Sequence, residues 1–479
     1  MKNIILLSIL IPFLFVSDAI AFCGFYVAKA DADLFNKSSE VIISRQDKHT
    51  VITMSNDYSG DIKDFAMVVP VPQILQEEDI RVVEHIIFDK LDAYSGPRLV
   101  EYHDRNPCAP VYDMMALESV SAPSKRNASA DWAEVEDEDN YQVTIEAEYT
   151  IGEYDIVILS AEESDGLERW LLDNGYKIPT KASSVLKPYI RSDMKFFVVK
   201  VNLDNQKMMG FETLRPIQIE FESDKFMLPI RLGMANAEDF QDLIIYMFTE
   251  RGRVETANYR TIKLRTDRNI PEFVVDDFGG FYTSLFDKAY EEEYRNAVFM
   301  EYAWDLGSNN FVKCDPCPVT PPSITDLHTA GVKWVSRNYQ NNWGGSDYVG
   351  NVFMTRLHVR YDRSNFPQDL FFTETPSREN FQGRFIMTHA AKGVIDCEQA
   401  LGYYKQVQNR RENEMEELAE LTDWDLSDYN YYLKEYQVKI DKFNKRREMN
   451  KGGLGISIVM LILLSALSIR LERSSRKYN

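Results

Sequence analysis

Short runs of β-branched and aromatic residues, separated by turn-forming clusters, recur along most of this chain, and that pattern restricts it to a sheet-rich fold. Val41-Ile42-Ile43, a polar turn at Gln46-Asp47-Lys48 and a second run from His49 to Met54 predict a hairpin. Phe65 to Val69 reads as a third strand, closed by Pro70-Val71-Pro72 because proline removes ladder donors, and Glu84 to Phe88 as a fourth. Further strands are expected at 141–149, 155–159, 196–201, 216–221, 226–232, 243–248, 259–264, 352–361 and 381–388. Ser164 to Gly175 has the polar start and glycine end of a short amphipathic helix. Residues 122–140, with the acidic run Glu134 to Asp139, read as a solvated loop, since a bare acidic run gives its carboxylates no common focus for calcium.

Both ends of the chain are apolar. Met1-Lys2-Asn3 precedes an apolar core from Ile4 to Val16, and Ala19-Ile20-Ala21 is a small-x-small cleavage pattern, so a mature chain starting at Phe22 is expected. From Gly455 to Ile469 there is no charge, and counted from Gly452 the run meets the roughly 17 residues a helix needs to cross hydrocarbon. Basic residues flank both sides, so the signal decides orientation: the expected product is a single-pass protein of the cytoplasmic membrane, its body extracytoplasmic and its tail cytoplasmic. The expected divisions are a signal peptide at 1–21, a β-rich ectodomain at 22–300, a second ectodomain part with the CxxC loop at 301–397, a helical stalk or hairpin at 398–451, a transmembrane helix at 452–469 and a basic tail at 470–479. In fold class this is α+β: a mainly antiparallel, β-rich ectodomain, then a helical hairpin or stalk and one transmembrane helix.

With 479 residues, 44% hydrophobic and 12% aromatic, the chain can bury one large core or two ordinary ones. A formal net charge of −21 argues against nucleic acid as a partner, because phosphate binding needs a basic surface. Cys23, Cys108, Cys314, Cys317 and Cys397 are the candidate disulfide or thiol residues; five cannot all pair within one chain, and the sequence leaves the pairing open.

From Tyr403 to Lys451 there is no glycine or proline, and Tyr429, Leu433, Tyr436, Ile440 and Phe443 form a heptad stripe, a candidate for self-association or for packing against the protein's own body. Thr422 and Asp425 are candidate caps for the second helix of a hairpin, and Arg410 and Arg411 interrupt the apolar face of the first.

Chemistry-bearing motifs are few. Cys314-Asp315-Pro316-Cys317 outside the cytoplasm suits thiol exchange, but Pro318, Pro321 and Pro322 follow at once and the next helix start is near Ser323, whereas redox pairs take a stabilised thiolate from a helix N-terminus; a structural staple is the favoured reading. Structural zinc needs four ligands, and no second CxxC or close histidine pair completes a set. His103-Asp104 ahead of Cys108 suits a base beside a nucleophile, yet Pro107 and Pro110 bracket the cysteine and favour a disulfide partner. No nucleophile elbow, phosphate loop or dinucleotide fingerprint is present, so no catalytic residue, cofactor or metal is assigned.

Several phrases together carry a family likeness: Cys23-Gly24-Phe25, Asp64-Phe65-Ala66-Met67-Val68-Val69-Pro70-Val71-Pro72, Trp170-Leu171-Leu172-Asp173-Asn174-Gly175-Tyr176, Cys314-Asp315-Pro316-Cys317, and Thr355-Arg356-Leu357 followed by Asp369-Leu370. Over about Ala21 to Thr388 the chain resembles the bacterial proteins grouped as domain of unknown function 2330. The resemblance implies a bacterial envelope protein and no activity, because that family has no assigned reaction. Gly452-Gly453-Leu454-Gly455 with the apolar run and basic tail is similar to sorting signals removed by a rhomboid-type protease, but Glu472 and the continuation to Asn479 favour permanent anchoring. The functional expectation is an integral, single-span envelope protein whose ectodomain binds or scaffolds another envelope component, through a protein partner or self-association. Its rival is an extracytoplasmic hydrolase or thiol-disulfide enzyme with scattered active-site residues, for which Cys314, Cys317, Cys108 and His103 would be tested first.

Overall fold

The computed structural model describes residues 38–55, 66–109, 143–174, 182–202, 214–235, 240–317, 319–339 and 346–475, with short pieces at 25–26, 28–29, 176–177 and 205. The expected signal segment, Cys23 and the acidic loop lie outside the described residues. In chain order the longer strands are β1 (Ser38–Gln46), β2 (His49–Met54), β3 (Ala66–Val71), β4 (Arg98–His103), β5 (Val143–Ile151), β6 (Tyr154–Ala161), β7 (Lys195–Val201), β8 (Ile217–Glu222), β9 (Gln241–Thr249), β10 (Ala297–Asp305), β11 (Phe353–Tyr361) and β12 (Arg384–His389). The helices are α1 (Ile86–Ser95), α2 (Ser164–Asp173), α3 (Ala182–Arg191), α4 (Phe278–Glu292), α5 (Ile324–Thr329), α6 (Ala400–Leu421) and α7 (Asn430–Ser475). The chain divides into two compact units: Met1–Pro97, Arg126–Leu264 and Ala289–Gly383 make the first, and Arg98–Lys125, Arg265–Lys288 and Arg384–Asn479 the second.

In the first unit β1 and β2 form a hairpin, with Gln46 opposite His49 and Asp47 in the left-handed region at φ 52°. Both belong to a nine-stranded sheet in which β1 runs parallel to β9, while β9–β11, β11–β10 and β2–β8 are antiparallel. A five-stranded antiparallel sheet holds β3, β7, β6 and β5.

Side chains alternate across a strand, so neighbouring residues serve different cores. Val41 and Ile43 join Ile52, Ile219 and Met247 in a core shared with Val69, Phe197 and Ile156 of the five-stranded sheet. Ile42, Tyr246 and Phe248 face the other way, onto Ile87, Phe88 and Leu91 of α1 and Leu327 of α5. Behind the five-stranded sheet, Val68, Phe196 and Val198 meet Leu167, Trp170 and Leu171 of α2 and Leu186 and Tyr189 of α3. Strands covered on both faces read as continuous apolar runs, which is why periodicity located them better than it assigned their faces.

Two local expectations are corrected here. Glu84 to Phe88 enters a helix rather than a strand, because Ile87, Phe88, Leu91 and Tyr94 are all buried at helical spacing. The third strand continues through Pro70 to Val71, with Pro70 opposite Phe196 and Val71 opposite Lys195.

In the second unit β4 and β12 run parallel, with Leu99 opposite Phe385 and His103 opposite His389. A disulfide joins Cys108 to Cys397, closing the segments that leave these two strands. Phe281 of α4 packs edge-on against Phe385 and Trp424, and Phe273 stacks on Tyr429 with centroids 4.0 Å apart. Helices α6 and α7 form a hairpin: Tyr404 meets Tyr436 and Phe443, and the Tyr432 hydroxyl donates to Glu414 at 2.7 Å. Thr422 caps the end of α6 rather than the start of α7, its hydroxyl donating to the Leu418 carbonyl at 2.8 Å, and Asp425 accepts from the Ser427 backbone N–H at 2.9 Å.

The expected transmembrane helix at 452–469 is corrected. That run lies within α7, most of its side chains lie outside the described residues, and among the described residues no helix is long and apolar enough to cross a membrane. Physically, α7 carries nine charged residues between Lys434 and Glu448, so it is not an apolar rod along its length. Single-pass anchoring, the integral-membrane partner and the cytoplasmic-membrane location rested on that span and fall with it.

Candidate functional site

Two features of the first unit concentrate chemistry. One is an apolar pocket of about 300 Å³, floored by Ile52 and Met54 of β2, Val69 and Pro70 of β3 and Ile219 and Phe221 of β8. These are buried, and Ile52, Met54, Val69, Ile219 and Phe221 belong to the core shared by the two sheets. The rim is polar: Glu222, Ser223, Asp224 and Lys225 line one side. Arg45 holds this rim in place, donating to the Ser223 carbonyl at 2.8 Å and to the Thr50 hydroxyl at 2.6 Å, with its guanidinium 4.9 Å from the Phe226 ring centroid. Lys48 and Asp224 pair at 2.5 Å in solvent.

The other is a row of charges inside the nine-stranded sheet. Arg356, His358 and Arg360 project from alternate positions of β11, opposite Tyr246, Ile244 and Asp242 of β9. Glu301 on β10, 1% exposed, accepts from Arg356 Nε at 2.6 Å and faces His358 Nδ1 at 2.9 Å. His358 Nε2 lies 3.2 Å from Asp242 Oδ1, and Arg360 donates to both oxygens of Asp242 at 2.8 and 3.0 Å. Arg356 also donates to Asp92 at 2.6 Å and lies over the Tyr246 ring. Burial works against a charged His358, but Glu301 and Asp242 outweigh it and raise its pKa. Burial likewise raises Glu40, whose carboxylate accepts from the Tyr246 hydroxyl at 2.7 Å. Every ionic group of the row has an opposite partner, an arrangement that spends its chemistry on itself.

The residues singled out from sequence are placed as follows. Cys108 is bonded to Cys397 and Cys314 to Cys317. Cys314 is 5% exposed while Cys317 is open to solvent, and the loop is held by Tyr94 and Tyr302, whose hydroxyls donate to the Lys313 carbonyl at 2.5 and 3.1 Å. The disulfide at Cys108 leaves His103 without the thiol it was paired with in sequence; instead its ring stacks on His389, centroids 4.5 Å apart. In the heptad stripe, Tyr436 and Ile440 are buried, Leu433 and Phe443 half-buried, and Tyr429 lies against Phe273, all within the second unit.

Sequence reasoning missed the charge row and His389. The signal for the row was present: three basic residues at alternate positions inside an apolar strand place charge on one face of a buried sheet. The pocket had no such signal, since its floor combines β2 and β3 with β8, which lies some way further along the chain.

Sheet layers flanked by helices, an apolar pocket and internally neutralised charges define an α+β protein, with two disulfides among its described residues. The chain belongs to the family described as "Uncharacterized protein conserved in bacteria (DUF2330)", whose model matches residues 17–373. No curated protein and no solved structure matches it.

Proposed function

We propose that this chain is a non-catalytic binding protein whose first unit receives an apolar group of another envelope component. The observation that carries this reading is the pocket: about 300 Å³, apolar at its floor and charged at its rim. That volume stands at the lower end of the roughly 300–1,000 Å³ of sites that take small ligands, and the division into apolar floor and polar rim is how such sites combine affinity with orientation. Val69, Pro70 and Pro72, which belong to one of the family-like phrases, line it.

Titration of the full chain with a dansyl-labelled alkyl carboxylate tests the proposal. Saturable fluorescence enhancement is expected, lost in Met54→Trp, which fills the floor, and kept in Ser223→Ala at the rim, with circular dichroism confirming both folds. Absence of saturable binding, or undiminished binding by a folded Met54→Trp protein, overturns it.

One observation favours thiol-disulfide exchange as a second reading: Cys317 is exposed while its bonded partner Cys314 is buried, so one sulfur of the pair is open to an incoming thiolate. Insulin reduction that disappears in Cys317→Ser would support that reading, and an inert disulfide would remove it.

A further inference from the structure

We propose that Glu101, His103 and His389 in the second unit form a binding site for one divalent transition-metal ion of the zinc type. Parallel pairing of β4 and β12 sets His103 directly opposite His389, and Glu101 lies two residues back on β4, on the same face. One ligand atom from each of the three lies within 4.8 Å of the other two. A tetrahedral zinc ion holds its ligand atoms roughly 3.3 Å apart, so side-chain rotation alone closes the set around an ion.

A carboxylate faces each ring nitrogen of His389. Its Nδ1 lies 3.6 Å from Glu272 Oε2, and its Nε2 lies 2.8 Å from Glu101 Oε2. In the tautomer whose Nδ1 proton is turned toward Glu272, the Nε2 lone pair is available to bind a metal ion beside the Glu101 carboxylate. Glu272 then has the part of an outer carboxylate that fixes the tautomer of a metal-binding histidine. It is itself held by Arg411 Nη2 and the Ala390 backbone N–H, both donating to Oε1 at 3.4 Å.

Both strand ends are held beyond the site. The Asp104 backbone N–H donates to the His389 carbonyl at 2.9 Å, the Asp104 carboxylate accepts from Arg410 at 3.0 Å and from the Tyr403 hydroxyl at 2.8 Å, and the Cys108–Cys397 disulfide closes the segments that follow. A site whose supports are locked in this way loses little order on binding. Two imidazoles and one carboxylate suit zinc, nickel or copper rather than calcium or magnesium, which take oxygen ligands. Glu101 and His103 are exposed, so the ion keeps a position open to water or to a further donor. His389 lies beyond residues 17–373, so the site does not belong to the family-matched region alone.

Calorimetric titration of the full chain with Zn²⁺, after chelator treatment and with its disulfides intact, is the test, with Co²⁺ absorption as the second readout. One ion per chain is expected, with the Co²⁺ band intensity of a four- or five-coordinate site. His103→Gln with His389→Gln abolishes both signals in a protein whose circular dichroism is unchanged. Glu272→Gln, which removes only the outer carboxylate, weakens binding by about 10- to 100-fold. Two results overturn the proposal: no saturable Zn²⁺ binding, which leaves only a proton between His389 and Glu101, or undiminished binding by the folded double variant.

Discussion

The two units bury charge by different means. In the first, three apolar clusters surround the sheets, and the buried ions stand in one row where Glu301, Arg356, His358, Asp242 and Arg360 neutralise one another. In the second, arginines occupy the helix face that would otherwise be core. Arg411, 4% exposed, lies over the rings of Tyr432 and Tyr436 at 4.0 and 4.6 Å and donates to Glu435 at 2.7 Å, while the buried Glu414 takes the Tyr432 hydroxyl. Apolar sheets tolerate ions only as complete sets, because each unpaired charge pays the full desolvation cost. A helix hairpin with cations at core positions substitutes aromatic faces and covalent closure for aliphatic area, and its stability becomes more sensitive to conditions.

Removing one member of a complete set should break this contrast most severely. Glu301→Ala leaves Arg356 and His358 uncompensated in the sheet and is expected to destabilise the first unit by about 3–5 kcal/mol. Hydrogen exchange during urea unfolding should show the loss in β10 and β11, with β4 and β12 unaffected.

Opening the second unit's covalent closure comes next. Cys108→Ser with Cys397→Ser is expected to cost about 2–5 kcal/mol, read as faster exchange in β4, β12 and α6. Equal loss of protection in the first unit would show that the two do not respond separately.

The pH response sharpens the comparison further. Burial raises Glu414 to about 7 from an ordinary 4.5, so the fold prefers its neutral form. Its contribution is complete below the unfolded value and is lost as pH rises through 7, a loss of at most about 3 kcal/mol before the nearby arginines are allowed for. His358 has a raised pKa as well, so its contribution is complete below about 6.5 and declines only above that. Between pH 5 and 6.5 the second unit should soften through Glu414, with Glu40, also raised by burial, acting in the same direction in the first unit, and Glu414→Gln should flatten the slope of the second unit in thermal melts. Asp224→Asn, which removes a solvent-exposed pair with Lys48, should leave the melting of both units unchanged.

Much of the fold was readable because its causes are local. The β1–β2 turn, the α2 helix, the Ser323 cap of α5 and the glycine- and proline-free stretch that becomes α6 and α7 each follow from residues within one turn of one another. Where a short segment suits two structures, that reading failed: Glu84 to Phe88 is apolar enough for a strand, and only the burial of Leu91 and Tyr94 one and two turns on makes it a helix. Helix α3 went unread, with Pro188 inside it arguing against any helix at all.

The candidate sites were harder to read for a different reason. The sequence left the pairing of the cysteines open, because 289 residues separate Cys108 from Cys397 and no local pattern joins them. The pocket floor and the His103–His389 pair have the same character. Sequence by itself located most of the strands and the long helices, since propensity, turn chemistry and periodicity act over a few residues. The tertiary structure alone settles what each polar side chain does, because a buried imidazole or carboxylate takes its charge and its partner from strands that lie far away along the chain.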